Sequence, residues 1–191
     1  MIDLTASVEF DKISKQLASI PKDAPKILAT ALNQTARDAQ KILLKEAKDS
    51  YTIKPKYFNK GSQGLQIRKA TTRTLSAMLD SKGEPIDLYN FKNRATETST
   101  RASVKKGGGM KNLLIEDRWA FVATMKSGHT GLFQRAGKSR LPIKKKFSLS
   151  VPQMIGNEEE VYGKLEPEIG EILQKHVEEQ IQKLIAKKEA S

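Results

Sequence analysis

The chain contains no cysteine, which excludes disulfides and thiolate zinc sites. Histidine is almost absent too: His129 and His176 are the only two, far apart and without a metal-ligand pattern around either. No D-x-D-x-D-G loop offers a carboxylate frame for a hard cation. No metal or cofactor is therefore expected. Aromatic residues make up 6% of the chain, with a single tryptophan. No apolar run approaches the roughly 20 residues that span a bilayer. Met1 to Thr5 lack the basic flank and apolar core of a signal peptide. These absences predict a soluble protein with no membrane partner and no export by a standard signal.

Charge is what the chain has in abundance. Its 191 residues fit one domain, with or without a helical appendage, and carry a net charge of +12. The distribution is uneven. Residues 1–50 hold 8 Lys/Arg against 7 Asp/Glu, residues 51–150 hold 21 against 6, and residues 151–191 hold 5 against 9. The middle of the chain thus carries nearly all the positive field. Such a segment faces polyanions, meets acidic surfaces of neighbouring proteins, or forms a solvated basic sheet surface.

Helical periodicity marks both ends. Phe10, Ile13, Leu17 and Ile20 form one stripe over 9–20, closed by Pro21. Asp23 and Pro25 begin a second helix over 24–49, with Leu28, Ala31, Leu32, Thr35, Ala39, Ile42, Leu43 and Ala47 facing inward. Ala31, Ala36 and Ala39 permit close approach to a sheet or another helix. A third helical segment, over 157–191, carries Val161, Leu165, Ile169, Ile172, Leu173, Val177, Ile181, Leu184 and Ile185. It is expected to pack on the domain's sheet or on a neighbour. Glu158 to Glu160 and Lys187–Lys188 match its dipole, and Gly163 and Pro167 predict a kink or a restart near Glu166.

Between the helices, from about 62 to 150, short alternating runs indicate strands. Trp119 to Met125 reads as the best buried strand and Leu132 to Arg135 as the next. Arg94 to Gly109 reads either as an arm that orders on assembly or as a long hairpin. The expected class is α+β: an antiparallel β-sheet packed against a long N-terminal helix and a C-terminal helix. Residues 1–156 form the domain and 157–191 the terminal helix.

Gly137-Lys138-Ser139 imitates the end of a P-loop but fails its spacing. The first glycine should stand at position 132, which is leucine, and Pro142 would interrupt the helix that must follow. No G-x-S-x-G elbow is present, and neither histidine has a nucleophile with a local signature. Asp87 and the pair Glu116-Asp117 are possible acids or bases, more simply read as surface charges. No enzyme is expected. Lys105, Lys106, Arg135, Lys138, Arg140, Lys144, Lys145 and Lys146 are the candidate contacts to a partner or to DNA. No zinc finger, helix-turn-helix or RNP pattern supports sequence-specific readout, so the alternative function is non-specific nucleic-acid binding.

Several motifs recur in a telling order. Ala31-Leu32-Asn33-Gln34-Thr35-Ala36 is followed by the strand containing Phe121. Then come Gly131-Leu132-Phe133-Gln134-Arg135, Leu141-Pro142-Ile143 and Ser150-Val151-Pro152-Gln153-Met154. In this order the chain resembles the minor tail protein Z family of tailed bacteriophages and prophages, related to head–tail connection and tail-completion proteins. Asn33, Phe121, Gly131, Phe133, Arg135, Pro142, Val151 and Pro152 carry the likeness. The resemblance implies a structural virion protein at the head-proximal end of the tail or the neck, assembled in the host cytoplasm. It implies a ring of copies, a hexamer by expectation, that joins tail to head. Tail-tube, tail-terminator or head-connector proteins would be its neighbours, and DNA would pass through the channel. It offers no catalytic residues. Phe133 is expected to pack inward, with Arg135, Lys138 and Arg140 toward a partner or the channel.

Overall fold

The computed structural model describes residues 22–58, 64–96 and 98–189. The helix expected over 9–20 lies outside the described residues. The architecture is α+β, as expected, but the strands form four small antiparallel sheets instead of one. Helix α1 spans Ala24–Ser50, α2 spans Val151–Ile155 and α3 spans Tyr162–Glu189. Strands β1 (Gln66–Arg68) and β2 (Met78–Asp80) form one hairpin. Strands β3 (Lys92–Ala95), β4 (Thr100–Ser103) and β5 (Lys111–Asn112) form a three-stranded sheet. Strands β6 (Leu114–Ile115) and β7 (Arg118–Trp119) make a two-stranded ribbon. The last sheet places β9 (Thr130–Arg135) between β8 (Phe121–Thr124) and β10 (Ile143–Lys145).

Helix α1 begins with Pro25 in its first turn, where the missing amide proton costs nothing. Its buried face is made mostly of small residues: Ala29, Ala31, Ala36, Ala39 and Ala47 beside Ile27 and Leu43. That face lies mainly against α3, the most extensive contact between any two described elements, while its Ala39, Leu43 and Ala47 also enter the core shared with the strands. The alternatives for Ala31, Ala36 and Ala39 thus resolve toward a helix. The terminal helix, expected to pack on the sheet, packs on α1 because the alanine stripe lets two backbones approach closely. Two cross-links run in opposite directions along the pair, so the helices are antiparallel. His176 Nε2 lies 3.0 Å from Asp38 Oδ2, and Gln180 donates to Gln34 at 3.1 Å. Lys41 and then His176 bond the Asp38 carboxylate and hold it below its ordinary range.

The main core joins this helix pair to the strands. Leu43, Tyr51, Phe58, Leu79, Leu132, Met154, Ile155 and Ile169 are its fully or almost fully buried members. A second, smaller cluster of Ile27, Ala31 and Val177 continues along the helices. The stretch Arg94 to Gly109 is largely the β3–β4 hairpin, settling the two alternatives in favour of ordinary strand pairing. Trp119 to Met125 is not the best buried strand. Ala120 divides it into β7 and β8, and β8 is the edge of its sheet, with Val122 exposed. The buried strand is the central one, β9, where Leu132, Phe133 and Gln134 are all enclosed.

No restart occurs near Glu166: α3 runs unbroken through Pro167. The proline forfeits one early backbone bond, and packing of Ile169 and Val177 on α1 holds the helix across it. Gly163 has a different reason to be glycine. A Cβ there would stand 2.3 Å from the Glu158 carbonyl oxygen, which is backbone and cannot swing away. A Cβ at Gly170 would meet nothing within 4 Å. Gly163→Ala should therefore lower the unfolding free energy by about 2 kcal/mol or more. Gly170→Ala should raise it by about 0.5–1 kcal/mol. Urea denaturation of the two variants measures both signs.

Candidate partner-facing surface

The motif residues prove to be the parts that hold loops in place. Asn33, about a third of the way along α1, brackets one backbone residue with its amide. Its Nδ2 donates to the Ala70 carbonyl at 2.9 Å, and its Oδ1 accepts from the Ala70 amide at 2.8 Å. Gln40 donates to the Leu65 carbonyl, so α1 grips both ends of β1. In Ser150-Val151-Pro152-Gln153 the serine caps α2. Its hydroxyl accepts from the Gln153 amide at 3.4 Å, while Gln153 Oε1 accepts from the Ser150 amide at 2.9 Å. Pro152 occupies the first turn, and Val151, Met154 and Ile155 are driven into the core.

The β8–β9–β10 sheet carries the remaining motif. Phe133 packs inward, as expected, and stacks tilted on Phe121 with ring centroids 6.4 Å apart. Gly131, expected to flank this strand, lies inside it. A Cβ on Gly131 would come within 2.9 Å of Asp87 Oδ2 and 3.3 Å of the Phe133 ring. Asp87 is the feature that sequence reasoning passed over as a surface charge. It is buried at 6% exposure, and its Oδ1 accepts from the Tyr89 amide at 2.9 Å. Its Oδ2 faces Lys145 Nζ at 3.1 Å and His129 Nε2 at 3.3 Å. One carboxylate thus ties the turn before Leu88–Asn90 to β10 and to the β8–β9 turn. No local signal could have found it, because the three residues are distant in sequence.

The eight candidate cations divide sharply. Lys145 is committed to Asp87 and lies 5.1 Å from the Phe147 ring. Lys105 donates to Glu160 at 2.8 Å, joining the end of the β3–β4 hairpin to the approach to α3. Lys106 donates to the Lys48 carbonyl at 2.9 Å, a cation at the negative end of α1. Arg135 lies over Phe121 and donates to the Arg140 carbonyl at 2.6 Å, which pins the loop 136–142 back on its own strand. The backbone of Lys146 bonds Leu132 and Leu88 at 2.8 and 3.0 Å. Lys138, Arg140 and Lys144 are exposed, and among the described residues no carboxylate pairs with any of them. Pro142, joined to Leu141 by a cis peptide, accepts from the Ala136 amide at 2.9 Å and closes the loop. The three unpaired cations are therefore presented on a braced hairpin beside Leu141, which is 66% exposed.

No group of three or more metal-ligating residues occurs among the described residues. No described helix is long and apolar enough to cross a membrane. What the fold defines is an α+β module braced by polar clamps and presenting a cationic loop. The chain belongs to the family of prophage minor tail protein Z (GPZ), whose model matches residues 10–187. It is thus a phage tail protein, and its place is the virion. No curated protein and no solved structure matches it.

Two outcomes follow from these contacts. Asp87→Ala removes the ion-pair partner of Lys145, the neighbour of His129 and the cap of Tyr89, and should lower the unfolding free energy by about 1–3 kcal/mol in chemical denaturation. In the second pair, the hydrogen bond holds Glu160 below its ordinary 4.5 and raises Lys105 above its ordinary 10.5. The Glu160 contribution is complete above pH 4.5 and is lost as pH falls through its depressed value. The Lys105 contribution is complete below pH 10.5 and is lost as pH rises through its raised value. Glu160→Gln should therefore make the acid limb of the stability–pH curve shallower, read from denaturation midpoints in an acid series.

Proposed function

We propose that this tail protein is a ring subunit at the head-proximal end of the tail, where it completes the tail and joins it to the head. Copies surround the channel, a hexamer by expectation, and meet tail-tube, tail-terminator or head-connector proteins. Assembly takes place in the host cytoplasm, and the role involves no catalysis. The observation that carries the reading is the braced β9–β10 loop with Lys138, Arg140 and Lys144 unpaired, in a member of a tail-protein family. Three cations held on one hairpin without counter-charges repel one another, and in a lone chain only their solvation offsets this. A subunit in an assembly has neighbours to supply them. The second reading, non-specific contact with nucleic acid, draws on the same cations and predicts binding that falls steeply with salt.

The test is immunogold or cryo-electron imaging of particles carrying the tagged protein, beside particles built with Lys138→Glu, Arg140→Glu and Lys144→Glu together. Label at the head-proximal end, and a drop in joined particles with the triple variant, is the expected result. Label at the distal tip, or joined particles at wild-type yield, overturns it. Wild-type joining together with salt-sensitive DNA binding lost in the variant would favour the second reading.

A further inference from the structure

Among the described sheets, the β6–β7 ribbon is the one that contains no buried residue. It is rooted where Leu113 donates to Thr100 at 2.8 Å and Ala120 donates to Leu113 at 2.9 Å, beside the buried Thr100 hydroxyl that donates to Ala120. Beyond that root its strands pair only with each other, and β7 is held to β9 where Gln134 donates to the Arg118 carbonyl at 3.0 Å. Leu114 and Ile115 stand on opposite faces and are 41% and 48% exposed. The turn at its tip is Glu116-Asp117, an acidic pair inside the most basic part of the chain. Glu116 pairs with Arg118 of its own ribbon, and no cation pairs with Asp117 among the described residues.

The β9–β10 loop is the opposite in sign and alike in character. It offers Lys138 and Arg140 without counter-charges and Leu141 exposed beside them. Within one chain these surfaces do not pair: no ion pair joins Glu116 or Asp117 to Lys138 or Arg140. An acidic tip on an apolar ribbon and a basic loop with an apolar side chain are complementary, and they lie on different elements of one molecule. Such a combination makes heterologous contacts, in which one face of each copy meets a different face of the next. Resting on the ring reading above, we propose that the β6–β7 ribbon docks on the β9–β10 loop of a second copy of this chain. Ile115, next to the tip, meets Leu141, and the Glu116-Asp117 tip meets Lys138 and Arg140.

The test uses two full-length charge-reversed chains in sedimentation velocity. One carries Glu116→Lys and Asp117→Lys, the other Lys138→Glu and Arg140→Glu. Each alone brings like charges together at every contact and should self-associate about tenfold more weakly than wild type. Mixed in equal amounts they restore opposite signs at every contact and should associate as wild type does. A third chain, Glu116→Asn with Asp117→Gly, suits the positive φ of 46° and 61° at these positions and removes the acids without endangering the fold. It should keep or raise stability while losing association. If wild type associates and the reversed chains do so equally, the contact is wrong and the ring reading stands. If the mixture fails to recover although both reversed chains are folded, the contact is also wrong. If wild type stays monomeric at every concentration, the ring reading falls and takes the contact with it.

Discussion

The antiparallel packing of α1 on α3 is the constraint on which the rest depends. Sheets of two or three short strands do not hold together in water by themselves. Here three of the four small sheets gain stability by laying apolar residues on a wall that already exists. Leu79 from β2, Ala102 from β4 and Leu132 from β9 all enter the core that contains Leu43, Ala47 and Ile169. The wall in turn exists because α1 keeps its inner face small, so that α3 comes close enough to enclose both. Larger residues at Ala31 or Ala39, both fully buried, would separate the helices and open the core that Leu79, Ala102 and Leu132 enter.

Apolar contact is non-directional and does not say where a loop must sit. That information comes from a few polar clamps. Asn33 fixes Ala70 with two bonds, the Ser150–Gln153 box fixes the entry to α2, and Asp87 gathers three segments around one buried carboxylate. Arg135 does the same for the loop beyond β9. A buried carboxylate without cations would be severely penalised, so Asp87, Lys145 and the sheet they join form together or not at all. Asn33, Arg135, Ser150 and Gln153, which lie in the motifs quoted for the family likeness, thus serve as clamps, and Gly131 makes room for Asp87.

The two long helices, α1 and α3, were legible in the sequence because a stripe at three- and four-residue steps has one physical explanation, burial of one helix face. The α+β class followed from the order of those stripes and the alternating runs between them. The packing partner of α3 was not legible, since an apolar stripe fits a sheet and a helix equally well. Nor was the division of Trp119–Met125. Apolar residues on an edge strand and on a central strand look the same until the strand order is known, and here β9 took the centre. The cations could be counted but not sorted. Lys144 and Lys145 are neighbours in sequence, yet strand alternation sends Lys145 to Asp87 and leaves Lys144 in solvent.

That sorting bears directly on what the basic middle segment is for. Residues 51–150 hold only 6 acidic residues against 21 basic ones. Three of those acids are already engaged: Asp80 with Arg68, Asp87 with Lys145, and Glu116 with Arg118. The acidic C-terminal part lends Glu160 to Lys105. Intramolecular pairing therefore cannot neutralise the segment, whatever the details of its fold. Repulsion among the surplus cations would be relieved most simply by spreading them over the surface. Three of them are instead held at one hairpin, and Arg135 is spent on bracing the loop that displays two of them. A loop kept rigid while its charges stay unpaired lowers the ordering cost of meeting a counter-charge from outside. The surplus positive field is thus left by the fold for solvent, counter-ions or another surface to neutralise.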